Sequence, residues 1–207
     1  MTSMPSREAL QRLRDGNVRF ASSARDSELF LTHTRRAEVA ARQEPFAIIL
    51  GCSDSRVPAE IIFDQGLGDL FVIRVAGNIV APSQVGSVEF AAERYHTPLV
   101  VVVGHSQCGA ILATLEEMRR PDEKQSPNLR AIVDRVKPSI RHLVDLSRDV
   151  DSDEVVHQAV RANIGASVDH LRHGSQVLEQ LVQNNGLLIV GAEYSLETGV
   201  VEFFEGV

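Results

Sequence analysis

Two short motifs in this 207-residue chain carry side chains that could bind a metal ion. The run G-C-S-D-S-R contains Cys52, Asp54 and Arg56, and the run G-H-S-Q-C-G contains His105 and Cys108. The chain has 2 cysteines, and both lie in these runs. Two thiolates and one imidazole form a zinc donor set, and three protein ligands leave a fourth position for water or substrate. The pattern therefore favours a zinc site, which is catalytic if that position stays open.

The residues beside the first cysteine could serve the same site. Asp54 lies near enough to Cys52 to be a fourth ligand or to face a water molecule on the metal, and Arg56 can pair with Asp54. Each fragment alone also has a plain structural interpretation. H-x-x-C occurs by chance, Asp-x-Arg is often a surface ion pair, and buried cysteines are often inert. A structural zinc site closed by Asp54 is a further alternative, and only the motifs taken together favour catalysis.

Short apolar runs alternate with helical patterns along the chain. Four of these runs predict parallel strands covered on both faces; they span 46–51, 70–75, 98–104 and 186–193. Ligand sites in open α/β sheets lie beyond the carboxyl ends of the strands. The two motifs directly follow the first and third runs, so we expect Cys52 to meet His105 and Cys108 there.

Helices are predicted between and after these strands. Pro58 opens a short helix, and longer helices are expected at 83–96, from Cys108 to about 118, at about 129–148 and at 152–184. Pro138 should kink or interrupt one of them. The closing run Y-S-L-E-T-G-V-V-E-F-F predicts a hairpin. The fold class is therefore α/β: a mainly parallel β-sheet with an antiparallel edge strand, flanked by helices, with an N-terminal helical arm that packs on its own sheet or on a neighbouring subunit.

Composition narrows the range of partners. The chain is 43% hydrophobic and 24% charged, which suits a globular core, and its net charge of -7 argues against nucleic acid as a partner. It contains no apolar run of about 20 residues that could span a membrane. The N-terminus lacks the apolar core of a signal peptide, so we expect a cytoplasmic protein with no membrane partner.

The two motifs also resemble those of a known family. C-S-D-S-R followed by H-S-Q-C-G, with His105 53 positions after Cys52, resembles the β-class carbonic anhydrases. The segments 57–78, 88–105 and 191–204 are similar to the family as well. The resemblance runs from roughly Gln43 to Val207 and is weaker in the arm and in the polar stretch 119–128. It implies an N-terminal helical arm at 1–42 and a zinc-binding α/β carbonic anhydrase domain at 43–207.

The resemblance implies a zinc-dependent carbonate dehydratase, a lyase that reversibly hydrates carbon dioxide to bicarbonate and a proton by zinc-bound hydroxide. Cys52, His105 and Cys108 would bind Zn²⁺. Asp54 would accept a hydrogen bond from the hydroxide, or ligate zinc directly in a closed state. Arg56 would hold Asp54 away from the metal in the open state.

The family pattern also implies a substrate pocket. Gln43 would orient the substrate, while Phe71, Ala76 and Phe90 would line a small apolar pocket for carbon dioxide. Gly109 would permit a close backbone approach where a helix begins. Ordinary core packing is the alternative for the three apolar residues, and a polar helix end is the alternative for Gln43.

The resemblance also bears on assembly, and two alternative functions stay open. The resemblance implies a homodimer, which can pair into a homotetramer. A zinc hydrolase acting on another CO2-like molecule, such as carbonyl sulfide or carbon disulfide, stays open. So does a non-catalytic module that zinc only stabilises.

Overall fold

The computed structural model describes residues 4–23, 33–120, 126–146 and 152–207. Strands and helices alternate through most of these ranges, as the sequence pattern predicts. In chain order the elements are α1 Ser6–Ala21, α2 His33–Ala40, β1 Ala47–Gly51, α3 Ala59–Ile62, β2 Leu70–Arg74, a 3-10 turn Ala76–Asn78, α4 Pro82–Tyr95, β3 Leu99–His105, α5 Gly109–Arg119, α6 Pro127–Leu146, α7 Asp153–His173, α8 Gln176–Asn185, β4 Leu188–Tyr194 and β5 Val201–Glu205.

The strands form one sheet in the order β2-β1-β3-β4-β5. The first four strands are parallel, and β5 runs antiparallel to β4. This arrangement confirms the predicted fold class and the hairpin. Parallel pairing aligns Gly51 of β1 with Val103 of β3, so the ends of these strands lie side by side.

Burial differs between the central and outer strands. Every residue of β1 and β3 is buried, which agrees with their continuous apolar sequences. The expectation that all four runs are covered on both faces is wrong for β2. This strand is only half-buried, and its last residue, Arg74, is exposed. The reason is its position at the edge of the sheet, where it has one strand neighbour.

Helices cover both faces of the sheet. One face packs against α4–α8, with contacts such as Leu50 and Val102 in the same cluster as Ile164. The other face packs against α1 and α3, where Leu13 and Phe63 are fully buried. The cores on both sides hold the strand ends in place, which is what a site at those ends requires.

Helix α1 of the N-terminal arm packs on its own sheet. Leu13 on α1 is buried there, whereas Val18 is 65% exposed. The buried Asn17 side chain donates to the carbonyls of Ile62 and Gly199 and accepts from the amide of Val201, so it ties α1 to α3 and to the β4–β5 hairpin. The division of the chain at residue 42 stays a prediction.

Two helix predictions need correction. The helix expected at 152–184 is two helices, α7 and α8, separated at Gly174 and Ser175. The Ser175 hydroxyl accepts a hydrogen bond from the amide of Leu178, which caps a new helix. Pro138 lies inside α6 and does not interrupt it, so that part of the prediction is wrong, while a kink at Pro138 stays a prediction. The apolar face of α6, which includes the buried Val136 and Ile140, packs on the core on both sides of the proline.

No helix in the described ranges is both long enough and apolar enough to cross a membrane. Within the polar stretch 119–128, residues 121–125 lie outside the part of the chain that the structure describes.

Candidate metal centre

The fold brings the two sequence motifs together. Cys52 directly follows β1, His105 is the last residue of β3, and Cys108 directly precedes α5. Because β1 and β3 are parallel neighbours, both chain segments leave the sheet at the same edge. Strand pairing therefore unites residues that are 53 positions apart in the sequence.

The three candidate ligands form a compact, buried group. One donor atom from each of Cys52, His105 and Cys108 lies within 4.8 Å of the other two. The residues are 5%, 0% and 1% exposed, respectively, and the cysteines do not form a disulfide. In the described part of the chain, this is the set of histidine, cysteine and acidic residues that meets the geometry of a metal site.

The hydrogen bonding of His105 favours a metal ligand. Its Nδ1 lies 2.9 Å from the carbonyl oxygen of Ser106, so the Nδ1–H group donates there and Nε2 keeps its lone pair. Nε2 is buried and has no hydrogen-bond partner among the described residues. Unpaired buried polar atoms are costly, and histidine ligands typically donate their other ring nitrogen to a carbonyl. The residues therefore fit a zinc ion.

The electrostatics of the group also suit a cation. A hydrogen bond from the Cys108 thiol lowers the pKa of Cys52, assisted by His105 and by backbone amides, and outweighs the opposing effect of burial. The same hydrogen bond, together with burial, raises the pKa of Cys108. Burial alone would lower the pKa of His105, but the nearby Cys52 sulfur raises it.

Asp54 pairs with Arg56 at the entrance to this group. Its Oδ1 accepts hydrogen bonds from the backbone amide and Nε of Arg56, both at 2.9 Å, and its Oδ2 accepts from Nη2 at 2.8 Å. These bonds hold the pKa of the Asp54 carboxyl well below its usual range. Oδ2 lies 3.9 Å from Nε2 of His105, so the carboxylate faces the metal ligands while it rests on Arg56.

Arg74 also fixes this turn, a contact that its place in the sequence did not predict. At the end of β2, it donates from Nε to the carbonyl of Cys52 at 3.0 Å and from Nη2 to the carbonyl of Asp54. The amide of Gly77 donates to Cys52 Sγ at 3.4 Å. The available signal was position alone, because Arg74 ends a parallel strand and Gly77 lies just beyond it.

Two of the predicted pocket residues lie near the ligands. Ala76 belongs to the 3-10 turn that contains Gly77, and Gly109 begins α5 next to Cys108. A Cβ added at Gly109 would meet no other described heavy atom within 4 Å, so crowding by the chain itself does not require glycine. A role for Gly109 beside the substrate stays a prediction.

The other predicted pocket residues form a separate aromatic cluster. Phe71 packs against Phe90 and Tyr95, with ring centroids 6.4 and 6.1 Å apart, and Gln43 donates to the Tyr95 hydroxyl at 2.8 Å. Phe71 pairs with Ile48, so it lies well before the carboxyl end of the sheet. Phe71 and Tyr95 pack against the same hydrophobic core that contains Cys52 and Cys108.

Comparison with known proteins identifies the sequence family. The model of the carbonic anhydrase family matches residues 47–201. A carbonic anhydrase from Mycolicibacterium smegmatis is 40% identical over 200 residues, which cover 94% of this chain and 91% of the relative. Carbonic anhydrase 2 from Mycobacterium tuberculosis is 37% identical over 193 residues, which cover 92% of this chain and 89% of the relative.

Solved structures give the same result. The structure of the β-carbonic anhydrase CcaA is similar to this chain, with a TM-score of 0.73 at 25% identity. The alignment covers 95% of this chain and 91% of the CcaA chain. One of two tetrameric β-carbonic anhydrases from Sordaria macrospora has a TM-score of 0.72 at 25% identity, with 81% of this chain and 84% of that chain covered.

Proposed function

The chain belongs to the β class of the carbonic anhydrase family, and we propose that it hydrates carbon dioxide reversibly at a zinc ion held by Cys52, His105 and Cys108. Membership makes it an enzyme, a carbonate dehydratase. The observation that carries the proposal is the buried group of three donors with an unpaired Nε2 at the strand ends. The products are bicarbonate and a proton.

The donor set suits this chemistry. A bound zinc ion acts as a Lewis acid that lowers the pKa of water toward 7 and so supplies a nucleophile at working pH. Cys52 and Cys108 supply anionic sulfur ligands, and His105 supplies the neutral Nε2. Three protein ligands leave one position open to the reactants.

Asp54 and Arg56 orient the reacting water. Arg56 keeps the Asp54 carboxylate ionised and turned so that Oδ2 faces the ligand group. An ionised Oδ2 accepts a hydrogen bond from the water, and this directs the lone pair of the water toward carbon dioxide. The side chain of Asp54 is 18% exposed, so solvent only partly screens this interaction. Ligation of zinc by Asp54 in a closed state stays a prediction.

A second copy of the chain completes the substrate pocket. Gln43, Phe71 and Phe90 cluster with Tyr95 between the edge strand β2 and α4, and Phe90 is 51% exposed although it is large and apolar. An exposed aromatic cluster at a sheet edge is typical of an interface. A similar protein from Sordaria macrospora is described as tetrameric, which supports a homodimer or homotetramer here. In such an assembly, each cluster lines the metal centre of the other copy.

The proposal is tested by stopped-flow hydration of carbon dioxide, measured together with zinc content. We expect the wild type to hydrate carbon dioxide with about one zinc per chain, since the described residues contain one group of three ligands. Asp54→Ala should retain zinc and lose about 100-fold in kcat. Cys108→Ser should lose zinc. Glu60→Ala, which removes an exposed carboxylate on α3, should match the wild type.

A wild-type protein that holds a full complement of zinc and hydrates no carbon dioxide would overturn the proposal. Carbonyl sulfide and carbon disulfide, offered as competing substrates in the same assay, test the alternative hydrolase activity. The cytoplasmic location expected from the sequence stays a prediction.

A further inference from the structure

The 3-10 turn Ala76–Asn78 reaches the metal centre through its backbone. The amide of Gly77 donates to Cys52 Sγ at 3.4 Å, and this bond is buried. Gly77 has a φ of 69°, which favours glycine, and a Cβ there would lie 3.0 Å from Ala110 Cβ. The turn therefore adopts a special conformation in a tight space, at the point where its N–H group meets the sulfur.

Two polar side chains of α7 hold this turn from behind. Asn163 Nδ2 donates to the Gly77 carbonyl at 2.8 Å, and Ser167 Oγ donates to the Asn78 carbonyl at 3.1 Å. Both bonds are buried, and the two residues lie one helical turn apart on the same face of α7. Gly77 is therefore held at both ends, with its carbonyl bonded to Asn163 and its amide bonded to Cys52.

The rest of the buried face of α7 is apolar. Asn163 and Ser167 are the exceptions among its buried residues, which otherwise are valine, alanine, isoleucine and leucine. Asparagine and serine are poorer helix formers than alanine, and burying a polar group without a partner is costly. Helix formation and core packing alone do not explain why these two residues are polar. The hydrogen bonds that they donate to the carbonyls of the turn do explain it.

We propose that Asn163 is a positioning residue for Cys52, acting through Gly77, with Ser167 as its support. This inference rests on the proposed function, because it takes Cys52 as a ligand of the metal. By fixing the Gly77 carbonyl, Asn163 aims the Gly77 N–H group at Sγ. That hydrogen bond orients the sulfur and withdraws charge from it, in the manner of groups that hold metal ligands from outside the coordination sphere.

The test compares metal binding by the wild type and Asn163→Ala. Chelator competition gives zinc affinity, and cobalt substitution gives the thiolate-to-cobalt charge-transfer band, which reports on the sulfur directly. We expect zinc affinity to fall about tenfold or more and the charge-transfer band to shift in Asn163→Ala. A residue that only stabilised the fold would lower the melting temperature and leave this band in place.

Ser139→Ala is the matched control. The Ser139 hydroxyl is partly buried on α6 and donates to the Val136 carbonyl of its own helix, so its loss does not touch the turn. We expect zinc affinity and the cobalt band of this variant to equal those of the wild type.

Ser167→Ala decides the question if Asn163→Ala does not fold. It removes one hydroxyl and places a better helix former in α7, so the chain should fold. We expect a smaller change in affinity and in the cobalt band, in the same direction as for Asn163→Ala. The inference would be overturned if folded Asn163→Ala showed unchanged zinc affinity and an unchanged cobalt band. If Asn163→Ala does not fold, the same result in Ser167→Ala would overturn it.

Failure of this inference is distinct from failure of the proposed function. If the wild type binds zinc and cobalt through its thiolates but hydrates no carbon dioxide, the proposed activity fails while Asn163 keeps its role. If the wild type is active and the α7 variants bind metal normally, the activity stands and the positioning role fails.

Discussion

At the scale of residues, two arginines, Arg56 and Arg74, hold Asp54 and its turn in place. Arg56 binds both oxygens of the carboxylate, and Arg74 binds the carbonyls of Cys52 and Asp54. The turn after β1 is thus fixed at its side chain and at its backbone. The side chain of Arg56 is 55% exposed, so solvent weakens its charge interaction. Its main effect is therefore to orient Asp54 rather than to stabilise the fold.

Replacement of Arg56 by glutamine tests this orientation. Arg56→Gln removes the guanidinium bonds and frees Asp54 to rotate, so we expect kcat to fall about tenfold or more with zinc content unchanged. Stopped-flow hydration and metal analysis measure the two quantities. Arg141→Gln, which removes an exposed arginine from α6, should behave like the wild type. Full activity in Arg56→Gln would show that Asp54 needs no partner.

At the scale of secondary-structure elements, the close packing of α7 on the sheet determines where the turn beside Cys52 lies. Gly104 on β3 and Gly191 on β4 both face Ile164, and added Cβ atoms would lie 2.5 and 2.8 Å from its side chain. Glycine at these two positions lets α7 pack directly on the strands. The same helix carries Asn163, so its distance from the sheet also sets the position of the turn beside Cys52.

Substitution of Gly104 tests this packing. Gly104→Ala forces Ile164 to move, and we expect the free energy of unfolding to fall by about 1–3 kcal/mol. Ile164→Val removes the methyl group that would be nearest, Cδ1, so the double variant should recover part of the loss. Denaturant unfolding measures both.

Gly165 provides the control for this substitution. A Cβ at Gly165, in the middle of α7, would meet nothing within 4 Å, so Gly165→Ala should stabilise the protein by about 0.5–1 kcal/mol. Equal destabilisation by Gly104→Ala and Gly165→Ala would contradict the close packing of α7 on β3.

At the scale of the whole molecule, the proposed function needs two things beyond a single folded chain, namely a zinc ion and a second copy. The ligand set links the end of β1, the end of β3 and the start of α5. The aromatic cluster lies beside the edge strand β2, where Phe71 and Tyr95 are partly buried and Phe90 is 51% exposed. Stability should therefore depend on the metal, while activity should depend on both the metal and the partner.

Removal of zinc should lower thermal stability. A ligand at 100 times its Kd adds about 2.7 kcal/mol to the stability of the state that binds it. For a chain of this size, we therefore expect chelation to lower Tm by about 5–10 °C, reversibly on return of zinc. Differential scanning calorimetry measures the shift. Cys108→Ser should show little shift with chelator, and an equal shift in that variant would mean that the chelator acts elsewhere.

Substitution of Phe90 tests the partner surface. Phe90→Glu places a charge in the aromatic cluster, so we expect it to produce monomers in sedimentation velocity and to reduce hydration about 100-fold or more. Leu129→Glu is the control, because Leu129 on α6 is 45% exposed, against 51% for Phe90. A Phe90→Glu protein that stays oligomeric and active would place the interface elsewhere.

The sequence by itself determined the parallel strands, the hairpin and the meeting of Cys52 with His105 and Cys108. Continuous apolar runs predict buried strands, and parallel strands must end at one edge, so residues that follow two such strands come together. The partial exposure of β2 could not be predicted from its sequence. Its sequence is apolar like that of β1, and only strand order makes it an edge.

Tertiary structure alone decided what surrounds the ligands. Asn163 is 86 positions from Gly77, and its local sequence is an ordinary helical pattern, so nothing near it signals the bond. Arg74 likewise meets Cys52 and Asp54 only because β2 pairs with β1. Local sequence reports periodicity and turn chemistry, whereas hydrogen bonds between distant segments depend on how helices and strands pack. The pairing of Asp54 with Arg56 lies between these cases, since two residues in one turn can meet without help from the fold.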